Sequence, residues 1–335
     1  MEEKVESKIS VIAAIAGNIL VAIVKFIAAC ISGSVAMVSE GIHSIVDSGN
    51  GVLVLFGIHR SKKEPDYLHP FGYGKELYFW TLVVALLIFL LGGGISLFKG
   101  VEACLKVSRG TYIPGDFTLN YIVLFAAMII EGSSLVVAVK QFNKARGEIG
   151  PFDFISETKD PSLYTVVLED SAAELGLLAA LASTIMCDFT GIFYFDGAAS
   201  IFIGILLCAV SFVLLRETKG LLVGEGMMHK SLDEIRELVE SDERIASCGR
   251  ILTMYMGPDS LLITIDATFV EGLSADDVLK TVDTLENLIY DRWPQTTRVF
   301  IEAESRRQVL EQRMEEASWE DEFEEQYNED EQPSW

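Results

Sequence analysis

Six apolar runs fill the first two thirds of this chain, and they restrict its fold more than any other feature. They cover about 9–31, 34–58, 77–103, 118–140, 162–186 and 192–216. Each is long enough to cross roughly 30 Å of hydrocarbon at about 1.5 Å per helical residue. Water is absent there, so backbone N–H and C=O groups must pair within the segment, and such a run spans as an α-helix. Half of the 335 residues are hydrophobic, which is too apolar for an ordinary soluble chain of this size. The reading is an α-helical membrane protein built on a six-helix bundle. The acidic residues ahead of the first run, with no small-residue cleavage pattern, do not resemble a removed signal peptide.

The loops orient the bundle. Arg60, Lys62, Lys63 and Lys75 follow the second run, Lys144, Arg146 and Lys159 the fourth, and Arg216 and Lys219 the sixth. The opposite side has only Lys106 and Arg109 in its one longer loop. Basic residues stay cytoplasmic, so both termini are expected there, in a multi-pass protein of the inner or plasma membrane. Beyond residue 219 the pattern turns soluble. An amphipathic helix over 230–242 precedes strands near 251–256 and 261–270, a helix over 275–293 and a strand over 297–303. That order suits a C-terminal cytoplasmic α+β domain of the ferredoxin-like kind. The expected division is 1–217 for the membrane domain, 218–305 for the α+β domain and 306–335 for an acidic tail. From Glu315 onward the tail holds ten acidic residues and reads as disordered. A net charge of −23 argues against nucleic acid as a partner. The five cysteines include no Cys-x-x-Cys pair and read as small apolar fillers.

Acids and a histidine inside the apolar runs carry the functional signal, because each costs about 2.5–3.5 kcal/mol on insertion scales and persists where an ion or a partner compensates. Glu40, His43 and Asp47 share one helical face of the second run, and Asp170 and Glu174 share one of the fifth. Counted from Ser34, His43 lies about 13 Å and Asp47 about 19 Å deep; counted from Ser162 on the other side, Asp170 lies about 12 Å and Glu174 about 18 Å deep. Asp47 therefore levels with Asp170, and His43 with Glu174. Neither run carries a cation at that depth, so the three carboxylates must be protonated or bind cations. His43, Asp47, Asp170 and Glu174 together form a donor set suited to Zn²⁺ and acceptable to Fe²⁺, Mn²⁺ or Co²⁺. Glu131, at a similar level, reads as a proton relay or a partner of Ser133 or Ser134 rather than a ligand. Glu40 reads as lining the outer access path, Glu169 as facing another helix, and Asn18 and Asn50 as interhelical hydrogen-bond donors.

The stretch Ser34-Val-Ala-Met-Val-Ser-Glu-Gly-Ile-His43-Ser-Ile-Val-Asp47 and the loop His69-Pro-Phe-Gly-Tyr-Gly-Lys75 resemble the cation diffusion facilitator family of zinc/proton antiporters. The loop and Leu168-Glu-Asp-Ser-Ala-Ala-Glu174 are most similar to the branch of mitochondrial, ZnT nine-type proteins. The resemblance implies six spans, a carboxy-terminal α+β domain, a homodimer formed through both domains, and a metal held by paired residues on the second and fifth helices. His43 and Asp47 match the first pair and Asp170 half of the second, but its other member falls on Val166, which cannot ligate. A weaker loop site in the family matches Asp66 and His69, with Tyr73 where a second histidine would stand. The cytoplasmic domain carries His229 as its one histidine and Glu302 where a late histidine might be sought, so dimerisation by packing is expected there. No nucleophile–base pair or phosphate loop points to an enzyme. The expectation is therefore a divalent metal/proton antiporter exporting metal from the cytoplasm, with Zn²⁺ as substrate and protons as counter-ion. The runner-up is a non-transporting metal-binding scaffold or partner subunit.

Overall fold

The computed structural model describes residues 2–113, 115–147, 150–151, 154–155 and 159–304, with side chains described from Gly17 onward except Leu163. Two compact units divide the chain at Leu222/Val223.

The first unit is helical. α1 (Glu2–Ser32) turns back at Gly33, whose φ of 67° suits glycine, into α2 (Val35–Ser61). The third apolar run is not one regular helix. α3 (Glu76–Leu87) widens into a π-helical stretch (Ile88–Gly94) before α4 (Ile95–Ser108). Three consecutive glycines, Gly92 to Gly94, end that stretch. α5 (Thr118–Arg146), α6 (Pro161–Thr190) and α7 (Tyr194–Val223) follow. Among the described residues, five stretches are long and apolar enough to cross a membrane: α2, the α3–α4 run, α5, Tyr164–Thr190 of α6, and α7. The apolar part of α1 described is Gly17–Ser32. Side chains such as Leu20, Phe98, Phe125 and Phe212 are more than 60% exposed, as lipid-facing residues are. This is a multi-pass membrane protein.

Two devices set α2, which among the described helices buries the most polar side chains. Ser34 caps it, its Oγ accepting from Met37 N at 3.2 Å. Asp196, near the start of α7, accepts from Ser34 Oγ at 2.5 Å, Val35 N at 2.6 Å, Ala36 N at 3.2 Å and Tyr112 O–H at 3.1 Å. The backbone donors left open at the start of α2 thus meet a carboxylate, the charge a helix N-terminus favours. α6 opens on Asp160, which accepts from Ser162 N, with Pro161 in the first turn. α4 and α7 approach at Gly100 and Gly197: a Cβ on Gly100 would stand 2.7 Å from Gly197 O.

The second unit follows the expected helix–strand–strand–helix–strand order: α8 (His229–Glu240), β1 (Ile245–Gly257), β2 (Ser260–Phe269), α9 (Ala275–Arg292) and β3 (Thr296–Ala303). The sheet order is β1–β2–β3, with β2 antiparallel to β1 and parallel to β3. β1 begins six residues before the expected start at 251 because bulges between Ile245 and Ile251 hide its alternation. Leu261, Ile263, Ile265 and Ala267 alternate onto one face of β2 and pack with Ile235 and Val239 of α8 and Leu285 and Ile289 of α9. Leu252 and Phe300 remain about half exposed.

Candidate metal site

α1, α2, α5 and α6 enclose a cavity of about 260 Å³. His43 and Asp47 reach it from α2, Asp170 from α6, Glu131 and Ser134 from α5, and Asn18 from α1. His43 is 5% exposed. Of the four expected ligands, three therefore line one space, as their matched depths imply. Asn18 donates from Nδ2 to Asp47 Oδ2 at 3.1 Å, and Ser134 Oγ donates to Asp170 Oδ2 at 2.9 Å. These bonds orient the two carboxylates, as the outer partners of metal ligands do. An imidazole and two carboxylates around one cavity can take a divalent cation, with protons as the alternative occupants of the same atoms.

Glu174, expected as the fourth ligand, does not line the cavity. Its carboxylate lies against α5, where a Cβ on Gly132 would be 2.8 Å from Glu174 Oε1. Val166 is 43% exposed and contributes nothing to the cavity either. Asn18, expected only as an interhelical donor, is both that and a cavity residue.

Charge balance differs from the expectation as well. Lys25 of α1 is fully buried and places Nζ 3.0 Å from Glu40 Oε2, 2.8 Å from Glu131 Oε1 and 2.9 Å from Ser44 Oγ. This cation comes from neither the second nor the fifth run but from α1. The carboxylates Glu40 and Glu131 are partly neutralised from a third helix. Glu40, read as lining the outer access path, is here a 0% exposed ion-pair partner of Lys25. Glu131 joins both environments, paired to Lys25 while lining the cavity. A signal was present in the sequence: counting back from Ser32, Lys25 sits about 10 Å deep, the level of Glu40 counted from Ser34. Glu169 does face another helix, accepting from Asn50 Nδ2 of α2 at 3.3 Å.

The weak loop site expected at Asp66 and His69 is a hydrogen-bonded turn. Asp66 Oδ2 accepts from Lys63 Nζ at 2.8 Å and Tyr73 O–H at 2.7 Å; Oδ1 accepts from the backbone N–H of Leu68 and His69 at 3.1 and 2.9 Å. Its four lone-pair positions are occupied. The Lys63 bond, then the Tyr73 bond, hold this carboxyl well below the usual range. Tyr73, standing where a second histidine was sought, stacks on His69 with ring centres 4.2 Å apart. In the second unit Asp266, Glu302 and Glu304 bring carboxylate oxygens within 4.8 Å of one another, and Asp266 also faces Arg250 Nε at 3.7 Å.

The cation efflux transmembrane domain profile matches residues 11–223. Metal tolerance protein C4 of Arabidopsis thaliana is 31% identical over 265 residues, 78% of this chain and 57% of that protein. The human mitochondrial proton-coupled zinc antiporter SLC30A9 is 32% identical over 251 residues, 74% of this chain and 43% of its own length. The manganese efflux system protein MneP of Bacillus subtilis is 26% identical over 263 residues, 78% of this chain and 83% of that protein. The chain thus spans about half the length of the first two.

Proposed function

Because this chain belongs to the cation efflux family, whose members are transporters rather than enzymes, we propose that it is an antiporter that carries a divalent metal ion out of the cytoplasm in exchange for protons. The observation that carries this reading is the single cavity joining His43, Asp47 and Asp170 within membrane-spanning helices. Metal requires these groups unprotonated, and protons arriving from the far side displace it. Alternating access, with helices rocking about this site, gives each side its turn. Zn²⁺ is the favoured substrate: an imidazole donor suits it, and one relative is named as a zinc antiporter. The carboxylate-rich wall also admits Fe²⁺, Mn²⁺ or Co²⁺, and another relative is named for manganese efflux. The protein acts in an inner or plasma membrane with both termini cytoplasmic. A second copy is its partner, packing partly on the β-sheet face that leaves Leu252 and Phe300 uncovered. The test is flux by the purified protein in proteoliposomes: a zinc gradient drives proton movement, and Asp47→Ala or Asp170→Ala abolishes it. Near-normal exchange in both variants sinks the site; no exchange by the unaltered protein sinks the antiporter reading.

A further inference from the structure

The metal reading uses three side chains and leaves an ionic cluster beside them unexplained. Lys25 Nζ makes three contacts, to Glu40 at 3.0 Å, Ser44 at 2.9 Å and Glu131 at 2.8 Å, and these occupy the three protons of its ammonium. The lysine is 0% exposed, so its charge is compensated within the bundle, first by these neighbours. Each carboxylate gives Lys25 one oxygen. The other oxygens, Glu40 Oε1 and Glu131 Oε2, are buried with no hydrogen-bond partner among the described residues. Glu40 Oε1 is accommodated by a missing side chain, since a Cβ on Gly176 would be 2.5 Å from it. Glu131 is the shared member, because it also lines the cavity with His43, Asp47 and Asp170.

We propose that Lys25 is a positioning residue of transport: a tethered monovalent cation that holds Glu131 back from the metal. This rests on the cavity being the metal's seat. A carboxylate between an ammonium and a divalent ion serves each less well than it would serve either alone, and the effect is strong where water does not screen it. With Lys25 in place the ion is held by His43, Asp47 and Asp170. Without it, Glu131 becomes a further anionic donor from α5, and the ion is held more tightly and released more slowly. A transported ion must bind well enough to enter and weakly enough to leave.

The test uses the full-length purified protein, in lipid nanodiscs for Zn²⁺ titration and in proteoliposomes for flux. Lys25→Met tightens Zn²⁺ binding by about tenfold, the lower end of what outer-sphere changes do to metal sites, and lowers KM and turnover together. Lys25→Arg restores both values. Adding Glu131→Gln to Lys25→Met removes the tightening, because the freed donor is gone. Lys25→Met strands two buried carboxylates, so Lys25→Met with Glu40→Gln is measured in parallel and shows the same tightening. Unchanged or weaker binding in either monodisperse variant overturns the inference. So does a tightening that survives Glu131→Gln, which assigns the effect to lost charge alone. Asp47→Ala separates the two levels: wild-type binding and flux there defeat the cavity reading itself, whereas a dead Asp47→Ala beside an unaltered Lys25→Met defeats only the role given to Lys25.

Discussion

Asp196 should be among the costliest single residues to remove from the membrane unit, although it lies far along the chain from the cavity residues of α2. It is 1% exposed and takes four donors, two of them the backbone N–H groups of Val35 and Ala36. Hydrogen bonds to a charged group contribute about 1.5–3 kcal/mol each, but the four share one carboxylate and do not add in full. Losing a helix cap costs ~1 kcal/mol, and stranding buried donors adds about 1–3 kcal/mol. Asp196→Ala is therefore expected to destabilise the helical unit by roughly 2–4 kcal/mol. Tyr112→Phe deletes one of the four bonds and should cost about 1 kcal/mol; Asp196→Asn, which keeps one acceptor oxygen without the charge, should fall between. Thermal unfolding of the detergent-purified protein reads this as a midpoint drop on the order of 10 °C for Asp196→Ala. Zinc affinity should fall alongside, because the start of α2 sets the depth of His43 and Asp47. An Asp196→Ala protein that melts with the wild type, or a Tyr112→Phe protein that melts below it, refutes the reasoning.

Three other outcomes follow from single contacts. Gly197→Ala places a Cβ 2.9 Å from Gly100 O and 2.5 Å from Cys104 Sγ, and the backbone oxygen cannot yield cheaply; a lower melting midpoint checks it, and an unchanged one contradicts the close approach of α4 and α7. Leu285→Ala, at a fully buried position, should destabilise the α+β unit by about 2–5 kcal/mol in denaturant unfolding, while the exposed Leu279→Ala should change little. The Asp66 turn has a defined sign with pH. Its carboxyl is depressed by Lys63 first and Tyr73 second, so the stabilisation is present above the unfolded pKa and is lost as pH falls through the lower folded value. Amide exchange at Leu68 and His69 should stay slow at neutral and mildly acidic pH and quicken only below about 3.9, the ordinary Asp value; Tyr73→Phe should move that loss upward, and fast exchange already at mildly acidic pH counts against the turn.

Much of this architecture could be read from residue order. The apolar runs have the length of spans, and α9 starts at Ala275 as expected, capped by Ser274. That His43, Asp47 and Asp170 line one cavity accords with their matched depths, because axial rise is nearly constant along a helix. Depth does not say which groups share a wall: Glu174, four residues past Asp170, lies against Gly132 of α5 instead. Lys25 was hidden for a different reason. Its partners come from α2 and α5, and a balance drawn between α2 and α6 has no place for it. The π-helical stretch in the third run has no hydropathic mark, since leucine, phenylalanine and glycine read alike as apolar. Asp66 and His69 were suggested by the family resemblance. What Tyr73 and Lys63 do to Asp66 depends on how the loop folds back.

The most direct measurement locates the metal itself. Anomalous scattering from crystals of the zinc-loaded full-length protein should show an ion within the cavity bounded by His43, Asp47 and Asp170, and that peak should vanish in Asp170→Ala. A strong peak at Asp266, Glu302 and Glu304 or at the Asp66 turn, with none in the cavity, would contradict the account.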